Sequence, residues 1–333
     1  MTLPNGGSRG RPQIALVVTG GTIGTIGSSS LDLSAYHETG ERESAEGLLK
    51  HVPELSSIAV VETVDFRRAS STAITAADWI ELHGLVASLL ERHDGVVVSH
   101  GTNTMEETAY FLDLCLPRER PVVLAGAMRP LSALSSDAPL NLVRAVQVAG
   151  SPDVAGQGVL VAINEQIFLA RDVAKTSTQR VDGFGAPDAG PIGIVDPTGE
   201  VVIDRQRARP GPRFDLGAVR DLPRVDVVLS HVGADGVLID AAAAAGARGI
   251  VSAGTGAGRP TPLEEEALAR AARGGLVVCR SSRVPSGTVV PTPETAGFVA
   301  ARALSPWKAR VLLSLALTST TDPGAIQRLF DEA

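Results

Sequence analysis

The chain has 333 residues, 44% hydrophobic and 20% charged, with 3% aromatics and a net charge of −7. That length exceeds the usual single core and leads us to expect two domains. The acidic balance argues against nucleic acid or an anionic membrane surface as partner, and the few aromatics leave little for bases to stack on.

In chain order, Met1 to Pro12 carries Arg9 and Arg11 but no apolar segment ahead of a small-residue cleavage site. No run anywhere approaches the ~18 apolar residues of a spanning helix, so a cytoplasmic protein is expected. Ile14–Val18 is a continuous apolar run followed by Thr19-Gly20-Gly21-Thr22-Ile23-Gly24, and such runs ended by glycine read as buried parallel strands. The Gly24–Gly47 segment is a long connection of the kind that often serves as a lid. Ile58–Thr63 reads as a strand, and Thr75–Arg92 as a helix with a Thr cap. Gly95–Ser99 is a second buried run, followed by His100-Gly101-Thr102-Asn103-Thr104. Thr104 and Glu107 have the spacing of a capping box, which predicts a helix starting just after Asn103 with free N–H groups toward the sheet crevice.

Val122–Ala125 and Gly158–Ile163 continue the strands, with a helix over Asp137–Val148 that has an Asp cap and Pro139 in its first turn. From about Gly190 to Leu222 the alternation lapses, and the arginines and prolines from Arg205 to Arg213 read as a solvated linker. Beyond it, strands at Val225–His231, Gly249–Ser252 and Leu276–Arg280 alternate with helices at Val237–Ala245 and Pro262–Ala272, and Asp322-Pro323 opens a terminal helix. The pattern predicts an α/β protein: a larger N-terminal, mostly parallel sheet flanked by helices (1–204), a linker (205–222) and a smaller C-terminal α/β domain (223–333). Cys115 and Cys279 lie in apolar stretches and read as buried free thiols, and no Cys/His spacing suggests a metal site or a disulfide framework.

In an open α/β sheet, ligands bind outside the carboxyl ends of the strands, where both glycine-cradled threonines would lie. Gly20-Gly21-Thr22 lacks the lysine and spacing of a phosphate-binding loop and is not the dinucleotide pattern. Adjacent glycines let the backbone approach a ligand, and a threonine there can be a nucleophile once a base or cation activates it. No serine elbow or triad pattern is present, which draws attention to Lys175, one of few lysines, as a group able to stabilise or deprotonate a hydroxyl.

Thr19–Ile23, His100–Thr108, Ala125–Pro130, Arg171–Thr176, Gly249–Gly254 and Ser281–Pro285 together resemble the bacterial-type L-asparaginases, with the first two in the order of that family's two signatures. The resemblance runs from about Ile14 to the C-terminus. It implies hydrolysis of L-asparagine to L-aspartate and ammonia without cofactor or metal, with Thr22 as nucleophile and Tyr36, on the lid, as its activator. Thr102 and Lys175 would form the second reacting group. Gly21, Ser71, Thr72, Asn103 and Ala127 would bind substrate: Ser71 the α-carboxylate, Asn103 at the α-ammonium position, and the Ala127 carbonyl the amide. It also implies a homotetramer built as a dimer of intimate dimers.

Three departures accompany the resemblance. Asn103 stands where the family usually has an aspartate. Ala257 replaces an asparagine that the family's neighbouring subunit often supplies. The stretch between Val284 and Phe298 is shorter, leaving Glu294 as the candidate for an accessory glutamate. They leave open a glutaminase or other ω-amidase, and an amino-acid-binding sensor that has lost its chemistry.

Overall fold

The computed structural model describes residues 10–208, 211–295 and 297–333. The chain forms two compact units, Met1–Ala208 and Arg209–Ala333. The first contains a sheet of β1 (Gln13–Gly20), β2 (Val60–Ala69), β3 (Gly95–Ser99), β4 (Val122–Ala125), β5 (Val159–Ile163), β6 (Gln166–Leu169), β7 (Gly193–Val195) and β8 (Val201–Ile203). Its order is β8-β7-β6-β5-β4-β3-β1-β2. The strands from β2 to β5 across that order are parallel, while β6, β7 and β8 are added antiparallel.

The runs predicted as buried strands are central ones. Ile14, Ala15, Leu16 and Val17 of β1 and Val96, Val97 and Val98 of β3 are wholly buried, as expected for strands paired on both sides and covered on both faces. Helices α1 (Ala76–Leu90), α2 (Met105–Cys115) and α3 (Ala138–Gly150) lie against this sheet. Thr75 and Asp78 complete a capping box on α1. Trp79 of α1 stacks on Phe111 of α2 with ring centres 5.1 Å apart, and its indole N–H donates to Thr108 at 2.9 Å. Leu142, Ala145 and Val146 of α3 pack with Val97, Val123 and Leu160 in the core.

Several boundaries differ from the sequence expectation. Leu55–Ile58 is a helical turn, and β2 starts later and runs on to Ala69. As an edge strand it needs only part of its surface covered, so its polar residues carry no strong strand signal. The stretch after Gly190 holds β7 and β8. The β5–β6 hairpin turns through Asn164 and Glu165, both with positive φ (51° and 63°), without the glycine that usually marks such a turn. In the expected linker, Arg207 is tied to the first unit: its guanidinium donates to both carboxylate oxygens of the fully buried Asp113 at 2.9 Å. Arg209 and Pro210 of that linker lie outside the described residues, as does the N-terminal segment up to Arg9.

Two predicted caps serve other purposes. Thr104 precedes α2 but caps nothing with its side chain; its hydroxyl instead donates to the Ser71 carbonyl at 2.9 Å. Asp137 precedes α3, yet its carboxylate accepts the N–H groups of Met128 and Arg129, each at 2.9 Å. Both side chains tie loops together at the carboxyl ends of the strands.

The second unit has a parallel sheet of β9 (Val225–Leu229), β10 (Gly249–Gly254), β11 (Val277–Ser282) and β12 (Val299–Ala300), in that order. Helices α4 (Val237–Ala244), α5 (Pro262–Arg273), α6 (Pro306–Ala316) and α7 (Pro323–Glu332) accompany it. Ile239, Ile250, Leu268 and Val278 form its core. Helix α6 escapes periodicity analysis because nearly all of its residues are buried, leaving no polar stripe. The Glu294 side chain lies outside the described residues. Cys115 and Cys279 are buried free thiols, and burial pushes both well above the usual thiol range. No helix among the described residues is long and apolar enough to cross a membrane.

Candidate active site

The chain leaves β1 toward β2 on one side, then returns past β1 to place β3 on the other. The crevice between the carboxyl ends of β1 and β3 is therefore a topological switch point, the place where such sheets bind ligands. A cavity of ≈310 Å3 opens there.

Glycines bring its walls together. Gly21 has φ 87°, and a methyl group there would overlap the Cα of Gly101. A methyl group at Gly101 would in turn crowd the hydroxyl of Ser71, in the turn after β2. The backbones of the first two loops thus approach at Gly21 and Gly101 as only glycine permits, and the Ser71 side chain closes on Gly101. That contact brings Thr22 and Thr102 to the same cavity.

Each threonine has its own polar neighbour. Thr22 is half-buried in a single turn of 3-10 helix, and its Oγ1 lies 3.3 Å from the Tyr36 hydroxyl. Asp32 fixes that tyrosine by accepting the N–H groups of Ala35 and Tyr36 at 2.9 and 3.0 Å. Thr102 is buried, and Lys175 Nζ donates to its Oγ1 at 2.8 Å and to Asn103 Oδ1 at 2.9 Å. Lys175 sits on a two-residue ribbon paired with Phe184–Gly185, and its backbone N–H donates to Glu106 of α2 at 3.4 Å. Burial pushes the Lys175 ammonium below the usual lysine range, opposed by the charge of Glu106.

Ser71, Thr72, Asn103 and Gly21 also line the cavity. Ser71 is buried, whereas Thr72 and Asn103 are exposed. Ala127 is wholly buried and does not line it; its neighbour Met128 does. The Asp137 carboxylate and the Asn141 side chain, which donates to the Gly126 carbonyl at 3.0 Å, hold that turn.

Sequence reasoning passed over Thr25, His37, Arg42, Ser70 and Thr178, which also line the cavity. Thr25, His37 and Arg42 lie on the long Gly24–Gly47 connection, whose Thr25–Ile26 and Glu41–Arg42 stretches pair as a small ribbon. Ser70 sits beside the flagged Ser71, and nothing in its spacing sets it apart. His100, at the end of β3, is fully buried with Nδ1 2.8 Å from the Gly101 carbonyl. Burial lowers its pKa to about 4, so the ring stays neutral and Nδ1–H is the donor.

These features gather two threonine hydroxyls, a tyrosine and a lysine in one cavity at the strand ends. The asparaginase N-terminal family model matches residues 13–209, and the glutaminase/asparaginase C-terminal domain model matches residues 224–330. The chain belongs to the asparaginase family. It is 41% identical to a probable periplasmic L-asparaginase of Haemophilus influenzae, covering 96% of this chain and 93% of that one. It is 39% identical to L-asparaginase 2 of Escherichia coli over 98% of this chain and 95% of that one. Among solved structures, a probable cytoplasmic L-asparaginase from Campylobacter jejuni superposes with a TM-score of 0.92 at 38% identity, covering 97% of this chain and 100% of that one.

Proposed function

We propose that this chain hydrolyses L-asparagine to L-aspartate and ammonia through an acyl-enzyme on Thr22. The Thr22 Oγ attacks the side-chain amide carbon while its proton passes by way of Tyr36 toward the leaving nitrogen. Collapse of the tetrahedral species expels ammonia and leaves an aspartyl ester on Thr22. Thr102 and Lys175 then orient a water and take its proton; the water attacks the ester, regenerating the Thr22 hydroxyl. Backbone N–H groups around Gly21 and at the start of α2 are suited to the oxyanion. The lid carrying Tyr36 would exclude bulk water during the reaction.

One observation carries this reading: two threonines from adjacent strand ends face one cavity, each beside a different proton-handling side chain. In this reading Ser71 holds the substrate α-carboxylate with Thr72 and Asn103 beside it, and the Ala127 carbonyl meets the amide. The second reading, activity on L-glutamine, draws on the family description of the C-terminal domain, which names both activities. We further propose a linker over 205–222 and assembly as a dimer of intimate dimers. The cytoplasmic reading agrees with the name of the Campylobacter relative and not with that of the Haemophilus one.

The test is ammonia release from a panel of ω-amides by the purified protein. Release from L-asparagine at millimolar concentration supports the proposal, faster release from L-glutamine selects the second reading, and release from neither overturns both.

A further inference from the structure

Tyr36 opens a single helical turn, Tyr36–Thr39, on the long connection after β1. So short a helix has no stability of its own, because a first turn fixes several residues for one hydrogen bond. The Tyr36 hydroxyl must nevertheless stay within reach of Thr22, and their 3.3 Å separation is already long for two hydroxyls. A further displacement of about 1 Å would part them. Whatever holds this turn therefore decides whether Tyr36 can act on Thr22.

Asp32 grips the turn from its start. Its Oδ1 accepts the N–H groups of Ala35 and Tyr36, at 2.9 and 3.0 Å, donors that a helix start leaves free. Its Oδ2 accepts the Ser28 hydroxyl at 3.0 Å and the Ser28 N–H at 3.3 Å. One carboxylate thus joins the segment before it to the turn after it. Gly27 packs into the same fold of chain: a methyl group there would crowd both Asp32 and the Cβ of Tyr36. The segment before Asp32 is itself seated on the loop that follows Pro130. The Gly27 N–H donates to Ser132 Oγ at 2.8 Å, and the Leu131 and Leu134 N–H groups donate to the Thr25 and Ser30 carbonyls at 2.9 and 2.8 Å. Bonded contacts therefore lead from that loop through Ser28 and Asp32 to Tyr36.

Resting on the amidohydrolase reading of this site, we infer that Asp32 is a positioning residue for the reaction. It is not among the described residues that line the cavity. It acts through Oδ1, which fixes the Tyr36 turn so that the phenol stays against Thr22 before substrate arrives. The charge of Asp32 is not what the role needs; an acceptor oxygen at that point is.

The test measures kcat/KM for ammonia release from L-asparagine by the native chain, Asp32→Ala, Asp32→Asn, Tyr36→Phe and the double variant Asp32→Ala/Tyr36→Phe, with circular dichroism confirming the fold of each. Asp32→Ala is expected to lose about tenfold or more, and Asp32→Asn, whose amide oxygen can still accept from Ala35 and Tyr36, to recover most of that loss. The double variant is expected within about twofold of Tyr36→Phe, because Asp32 acts through the phenol. Hydrogen exchange of the peptide spanning residues 28–39 gives a readout independent of turnover. It should quicken about fivefold or more at the Ala35 and Tyr36 amides in Asp32→Ala and return toward native in Asp32→Asn. Native-like turnover or unchanged exchange in Asp32→Ala overturns the inference. So does an Asp32→Asn variant as impaired as Asp32→Ala, or a full further loss from Asp32→Ala on the Tyr36→Phe background. If the native chain releases no ammonia, the hydrolytic reading fails, while the exchange rates still decide whether Asp32 holds Tyr36.

Discussion

The proton inventory of the site is set by a few side chains, and each makes a separate prediction. Lys175 is held below its ordinary pKa by burial, so part of its population is neutral at alkaline pH and can accept a proton from Thr102 or from water. The acyl-enzyme scheme therefore predicts a kcat/KM that rises with pH along a limb belonging to Lys175. Lys175→Arg, always charged, should remove that limb and lower turnover by about a hundredfold or more. Stopped assays across pH 6 to 10 (about that span) would check it; an unaltered limb in the variant would assign the titration to another group. His100 predicts a stability effect. Its pKa in the fold is about 4 against 6.5 for a free imidazole, so below 6.5 the unfolded chain binds a proton that the fold excludes. Stability is complete above the unfolded value and is lost as pH falls toward about 4, by an order of ~3 kcal/mol. Urea midpoints for His100→Gln should fall less over that interval than those of the native chain. At Gly21, alanine would meet the Gly101 backbone in a φ that side chains avoid. Gly21→Ala should cost about 3 kcal/mol or misplace Thr22, read as a lowered urea midpoint or lost turnover.

At the scale of elements, strands buried on both faces were legible because continuous Val/Ile runs ended by glycine have few other readings. β1, β3 and β4 follow those runs closely. The bounds of the edge strand β2, the Asn164-Glu165 hairpin and the buried helix α6 were not legible, since each depends on neighbours rather than on local pattern. Thr104 shows the same limit: the S/T-x-x-E spacing is present, but the hydroxyl finds a better-placed acceptor in another loop. The proposed reacting threonines were legible through the glycines that cradle them, whereas the cavity-lining positions of Thr25, His37 and Arg42 on the long connection required three dimensions. The segment after β8 provides an element-scale prediction. Asp113 is fully buried and bridges to Arg207, so Asp113→Ala leaves a buried cation without its carboxylate and should cost about 3 kcal/mol or more. Denaturant midpoints would fall accordingly, while ammonia release per folded molecule would stay near native; an unchanged midpoint would show that the pair contributes nothing.

For the whole molecule, the family match spans both units, and the cavity is lined from the first of them. The proposed assembly into four copies is measured by sedimentation at assay concentration, where a monomer with full activity would contradict the need for a partner. The claim on which the rest depends is that Thr22 carries out the chemistry with Thr102 as its second reacting group. Its most direct test is steady-state ammonia release from L-asparagine by the native chain, Thr22→Ala and Thr102→Ala, with far-ultraviolet circular dichroism confirming the fold. We expect native turnover and a loss of at least about a hundredfold in each variant at unchanged fold. Native-like rates in both folded variants would contradict the account.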